Sequence, residues 1–317
     1  MFIEQAYKAH HDWWRYLLGI LVIFFGWPIL GVIPLLGVAF MEAGSLTVFF
    51  EAAQSNFTTL GINENFLLVL YIITFSCGLL GLWFAAKFVH GQPFREVTTS
   101  RPQVDWGRIF FAFFMVVIIN MLLFGIGYFM EPEIFQWNFQ PIPFLILFFI
   151  AIFLLPLQTS FEEYLFRGYL MQGLGVLARN RWLPFIFTSV CFGLMHFFNP
   201  EVDKLGYIIM VFYIGTGFIL GIMTLMDEGM ELALGFHAGN NIFAALMITS
   251  DWGAFQVPAL FLDVSEPSVG FDVIAPVVLI YPIYIYILAR KYNWTDWKGK
   301  LFGKVHKPEI IKTAEEI

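Results

Sequence analysis

The chain has 317 residues, of which 59% are apolar and 13% charged, and its mean hydropathy is +0.75. A water-soluble globule of this size does not have that composition; a membrane protein does. Thirty-nine Phe, 12 Tyr and 10 Trp suit lipid contact and interfacial belts. The formal charge of −7 says little where acids and bases divide between two faces of a bilayer. No basic run is interleaved with aromatics, which sets a nucleic-acid partner aside. Cys77 and Cys191 stand far apart in apolar stretches with no CxxC or finger spacing, so neither a disulfide framework nor a structural zinc is implied.

A helix needs about 20 mostly apolar residues to cross ~30 Å of hydrocarbon. Eight runs meet this, near residues 17–41, 66–89, 109–130, 143–160, 183–198, 205–226, 231–249 and 272–290, the seventh being the least hydrophobic. The first follows Lys8 and Arg15, is too long for a signal-peptide core and lacks a small-residue cleavage site, so it reads as an uncleaved anchor. With the N-terminus inside, sixteen of the seventeen Lys and Arg fall on inner segments and only Lys204 lies outside. Cytoplasmic loops carry that excess. The expectation is an all-α polytopic membrane helix bundle, about eight transmembrane helices, both termini cytoplasmic. Residues 1–140 hold spans without a motif, 141–250 a polar core, and 251–317 the last span and a basic cytoplasmic tail that rests on anionic lipid. The partners implied are the bilayer and whatever reaches the core through it.

Ionisable residues at membrane depth are the informative ones, because each costs a few kcal/mol unless paired or functional. All eight aspartates fall in loops or at span edges, which argues against an aspartyl protease. Three constellations remain. In Ser160-Phe161-Glu162-Glu163-Tyr164-Leu165-Phe166-Arg167, Glu163 and Arg167 are i and i+4 and can pair, while Glu162 points ~100° away and is left free. A free carboxylate among phenylalanines is a candidate general base; a helix-end salt bridge is the bland alternative. His196 follows Phe192 by four residues in the fifth span, where a hydrogen-bonded core histidine is the competing reading. His237 and Asn241 share one face of the seventh span, with Ala238 and Gly239 leaving room for another helix or a substrate backbone.

Two imidazoles and a carboxylate make a zinc shell with an open position for water. Equally, Glu162 activates water directly while His237 and Asn241 donate to a tetrahedral oxyanion and His196 positions the water. Both chemistries hydrolyse an amide. HExxH, GxGD and GxSxG spacings are absent.

EExxxR (Glu162, Glu163, Arg167), FxxxH (Phe192, His196) and HxxxN (His237, Asn241), in that order on late spans, resemble the family of CAAX prenyl endopeptidases and bacteriocin-processing enzymes. The resemblance is specific over residues ~158–245. It implies an intramembrane endopeptidase acting on a membrane-associated peptide or lipidated-protein substrate. Glu162 is then the base, His196 and His237 are metal ligands or water-orienting groups, Asn241 is an oxyanion donor, and Glu163 and Arg167 are supporting. The family is described as metalloproteases, so zinc is the cofactor implied, although a metal-free glutamate mechanism has been argued. Members with immunity or scaffold roles keep a non-catalytic, partner-binding alternative open.

Span counting puts Glu162 at the cytoplasmic rim of the fourth span but His196 about 12 residues into the fifth, or ~18 Å deep. One shared site requires the fourth helix to carry Glu162 deeper, which Pro156 permits, or the fifth to begin in a dip. The expectation is a conical cavity between spans four and seven that faces the cytoplasm.

Overall fold

A computed structural model describes residues 1–253 and 256–307, and Lys312 of the expected basic tail lies outside them. The eight apolar runs become helices α1 (Trp13–Ala43), α2 (Glu64–Val89), α3 (Trp106–Met130), α4 (Pro141–Ala178), α5 (Trp182–Leu194), α6 (Pro200–Asp227), α7 (Glu231–Met247) and α8 (Val273–Lys291). Their starts follow capping chemistry. Asn63 accepts from Phe66 N before α2, Asp105 accepts from Arg108 N before α3, and prolines open α4 and α6. Arg179 at φ 54° and Glu228 at φ 57° end α4 and α6 in the left-handed conformation.

Among the described residues, six of these helices are long and apolar enough to cross a membrane. The other two differ from the eight full spans expected. Helix α5 has only 13 residues, about 20 Å at 1.5 Å per residue, and stops before His196. Helix α7 has 17 and carries the polar His237, Asn240 and Asn241.

Helix α4 departs most from its expected span. Hydropathy falls after residue 160, yet the helix continues to Ala178 and reaches 38 residues. It breaks at Leu154, where Pro156 has no N–H to give, and the ladder resumes from Leu157 N to Leu154 O at 2.9 Å. Beyond Glu163 one stretch, Tyr164–Leu170, is wound as a π-helix. Glu162 therefore sits near the middle of α4 rather than at its rim.

The first and last described segments meet at one end of the bundle. Phe2 N donates to Glu228, Arg181 N donates to Gly303 O at 3.0 Å, and Val305 N donates to Arg179 O at 3.1 Å. Arg101 bridges Asp227 at 2.8 Å and Glu231 at 3.0 Å, while Arg108 reaches Asp227 at 2.5 Å. These pairs fasten the loop after α2 to the α6–α7 turn and fix where α7 starts, two turns before His237. At the opposite end lies a three-stranded sheet of β1 (Phe135–Trp137), β2 (Ile248–Thr249) and β3 (Phe261–Asp263), ordered β1-β3-β2. Phe135 stands opposite Asp263 in the antiparallel pair and Ile248 opposite Phe261 in the parallel one.

Helix α7 lies against α3 through Gly235 and Gly239, so the small-residue face packs a helix and not a substrate. A methyl at Gly235 would collide with the Ile109 carbonyl, and one at Gly239 would sit 2.8 Å from Phe113 O. Gly235→Val is expected to prevent α7 from docking and to abolish the folded population in detergent. Gly37→Ala, with nothing within 4 Å of the added carbon, should stay within about 1 kcal/mol of wild type. Size-exclusion profiles and melting curves of the two variants check this.

Candidate active site

Glu163 and Arg167 are both fully buried and pair at 3.0 Å, as their i, i+4 spacing predicts. Two charges withdrawn this far survive only with further partners. Arg167 Nη2 donates to Gly217 O at 3.0 Å, and its guanidinium stacks on Phe192 at 4.2 Å. Gly217 O also accepts from Ser189 Oγ at 3.0 Å. That carbonyl is within reach because Gly217 lets α6 lie directly on the Ser189 backbone of α5.

Glu163 Oε1 accepts from a second group, His237 Nδ1, at 2.8 Å. The other ring nitrogen, Nε2, lies 3.4 Å from Glu162 Oε2. The imidazole is thus held between adjacent carboxylates of α4. Glu162 was expected to be free, pointing away from its neighbour; it does leave the Arg167 pair, but it does not lack partners. Gln158 Nε2 donates to Glu162 Oε1 at 2.6 Å, while His237 Nε2, an acceptor once Nδ1–H is given to Glu163, lies 3.4 Å from the other oxygen without a hydrogen bond to it. The ~100° between successive residues is spanned because the ring of His237 is wide enough to touch both side chains from α7.

Asn241 joins the same cluster through Gln158, donating Nδ2–H to Gln158 Oε1 at 3.3 Å. Behind it runs a chain of amides. Tyr284 Oη donates to Asn120 Oδ1 (3.2 Å), Asn120 Nδ2 to Asn240 Oδ1 (3.1 Å), and Asn240 Nδ2 to Asn241 Oδ1 (3.4 Å). A carboxylate only accepts, so Glu162 at the far end sets the sense of every amide, and five bonds in succession point toward it. Gln158, Asn120, Asn240 and Tyr284 were not singled out from the sequence, where ionisable residues were weighed first and Asn241 entered only beside His237. Asn120, an amide amid the apolar run of α3, was the available signal.

His196 lies beyond the end of α5 rather than inside a span. Its Nδ1–H donates to Phe192 O at 3.0 Å, leaving Nε2 as an acceptor, and its ring stacks on Tyr213 at 4.4 Å. Glu162, His196, His237 and Asn241 line one cavity of about 440 Å³, within the range of small-ligand sites. Among the described residues, no group of three or more His, Cys, Asp or Glu side chains is placed to hold a metal ion. The zinc shell considered above is therefore not assembled by the donors present, and no step below runs through a metal. The cavity's lining includes Ser55, Asn56, Thr58, Asn199 and Glu201, from loops at the end away from the first and last described segments. Nothing from the loops at the basic end lines it, so the cavity does not face the basic rim as expected.

Residues 138–243 match the family described as type II CAAX prenyl endopeptidase Rce1-like. Over that segment the chain is Rce1-like in sequence. All four cavity residues and the Glu163–Arg167 pair fall inside that segment, which runs from just before α4 into α7. The uncharacterized protein YyaK of Bacillus subtilis (strain 168) is similar more widely, being 29% identical over 258 residues, 80% of this chain and 84% of YyaK. No solved structure gives a significant match.

Removing Arg167 from the Rce1-like segment would leave Glu163 charged, buried and short of its neutralising partner. Arg167→Leu is expected to cost about 3–5 kcal/mol. Adding Glu163→Gln to it should recover part of that loss, since the stranded charge disappears with it. Denaturation of both variants in detergent checks the pair; a double variant no more stable than Arg167→Leu would contradict the coupling.

Proposed function

We propose that the chain is an intramembrane endopeptidase of the CAAX-protease kind, hydrolysing a peptide bond of a membrane-associated substrate with a water activated by Glu162. The observation that carries this reading is the His237 ring held between Glu163 and Glu162 at the wall of the cavity. Arg167 neutralises Glu163, Glu163 accepts a hydrogen bond from Nδ1–H, and Nε2 is thereby turned toward Glu162. The fixed tautomer and fixed ring angle are what a working histidine needs from its neighbours.

Glu162 Oε2 is buried and has no hydrogen-bond partner beyond the 3.4 Å approach of His237. A water on that oxygen gives up a proton to it as the water oxygen attacks the substrate carbonyl carbon. The carbonyl electron pair moves onto oxygen, where the second Nδ2–H of Asn241, the one not given to Gln158, donates to the oxyanion. Collapse re-forms the carbonyl and breaks the C–N bond, and the proton on Glu162 passes to the leaving nitrogen. His196 holds the water through Nε2, its Nδ1 being committed to Phe192 O. Gln158 keeps Glu162 turned to the cavity.

A panel of membrane-anchored reporter peptides, prenylated and plain, read by product mass, tests this. Glu162→Gln should lose cleavage while melting as wild type does, and wild-type turnover in that variant would overturn the assignment. Asn241→Ala is expected to lower kcat by about 10²–10³-fold. Gln158→Leu, which removes one hydrogen bond to a charged group, should cost about 10- to 100-fold. Activity that survives exhaustive chelation fits water activated by glutamate; activity lost on chelation and restored by zinc would replace this mechanism with a metal one.

A further inference from the structure

The two ends of the bundle differ sharply in charge and in how they are closed. At the end where the first and last described segments meet lie the Lys and Arg of the 95–108, 179–181 and 290–307 segments. Arg101, Arg108, Arg181 and Lys300 among them pair with Asp227, Glu228 and Glu231 and close that end. Above the seal is a second closed layer, with Glu163, Arg167, Thr188, Ser189 and Thr224 all at 0% exposure. This layer is the floor of the cavity. The opposite end carries Glu42, Glu51, Glu64, Glu131, Glu133, Glu201, Asp203, Asp251, Asp263 and Glu266, against Lys204 alone. Ser55, Thr58, Asn199 and Glu201 from that end line the cavity, while no residue of the basic loops does.

Lys and Arg accumulate on the cytoplasmic side of membrane proteins. Resting on the peptidase reading above, we propose that the cavity is entered from the acidic, non-cytoplasmic end and takes a basic peptide segment presented from that side. The floor of buried pairs blocks approach from the cytoplasm. At the mouth, Glu201 and the surrounding carboxylates set a negative potential in a low-dielectric funnel, which raises the local concentration of cationic segments. A substrate whose scissile segment is confined to the cytoplasm does not reach Glu162 by this route.

Entry can be read without any turnover, by cysteine labelling of the full chain in intact bacterial cells. In a Cys77→Ser, Cys191→Ser background, single cysteines are introduced as Asn199→Cys at the mouth, Ala244→Cys in the lining about one turn of α7 from Asn241, and Lys304→Cys at the basic end. A membrane-impermeant maleimide should label the first two in intact cells and Lys304→Cys only after permeabilisation. Labelling of all three in detergent establishes that each is folded and reactive. Labelling of Ala244→Cys only after permeabilisation would overturn the proposal. A Lys-rich decapeptide added outside should slow labelling of Ala244→Cys about threefold or more relative to its Glu-for-Lys counterpart. Equal protection by the two peptides would overturn the charge preference. Repeating the labelling in Glu162→Gln keeps the outcome separate from catalysis, because access does not depend on the base.

Discussion

Arg167 and Glu163 are withdrawn entirely from solvent, and the arrangement around them is what makes that tolerable. A buried ion pair repays its desolvation only when its remaining hydrogen-bonding positions are used. Here the guanidinium gives one nitrogen to Glu163 and another to Gly217 O and lays its face on Phe192, while the carboxylate accepts from Nδ1–H of His237. The pair thereby draws α4, α5, α6 and α7 to one point. Had α6 carried any side chain at 217, it would stand off from α5 and the carbonyl that Arg167 needs would be out of reach. The orientation of His237 is a consequence of this closure, which sets the ring edge that lies beside Glu162.

The helical irregularities lie where the site needs them. Pro156 breaks α4 six residues before Glu162, and the π-wound turns follow directly after Glu163. Between them sits the short segment that presents Gln158, Glu162 and Glu163. The freed backbone is tolerable inside a membrane because neighbouring helices surround it. From the other side, the amide chain through Tyr284, Asn120, Asn240 and Asn241 brings a succession of donors to the same carboxylate. Two structural supports thus converge on Glu162, one from a buried charge pair and one from aligned dipoles.

Much of this was legible in the sequence, for local reasons. The i, i+4 spacings of Glu163 with Arg167, of Phe192 with His196 and of His237 with Asn241 are properties of helices alone, and apolar periodicity marks helices well. What hydropathy could not read was depth. It measures the average polarity of a window, so the polar stretch that follows Thr159 looked like a membrane exit, when it is the inner wall of a cavity inside a 38-residue helix. The same averaging extended α5 past its end at Leu194. The side on which the cavity opens was also out of reach, since it depends on which loops pair with which termini. Asn120 and Gln158 were passed over because neutral amides at depth cost less than charges and draw less notice, although it is the amides that aim the carboxylate. The small residues Ala238 and Gly239 looked equally suited to a substrate backbone, and at Gly239 only the approach of α3 decides between the two.

The similarity of residues 138–243 to the Rce1-like family adds a context to this geometry, and the buried network supplies the physical support for the glutamate base proposed above. The ring of His237 beside the proposed base is set by one proton, the one held by Nδ1 against Glu163. The most direct measurement is the ¹⁵N spectrum of histidine-labelled protein in detergent at neutral pH, with His237→Gln used to assign the resonance. A protonated Nδ1 at His237, lost or shifted in Glu163→Gln, is the result predicted here. An Nδ1 that carries a lone pair in the folded wild type would mean that Glu163 does not set the ring, and would contradict the account.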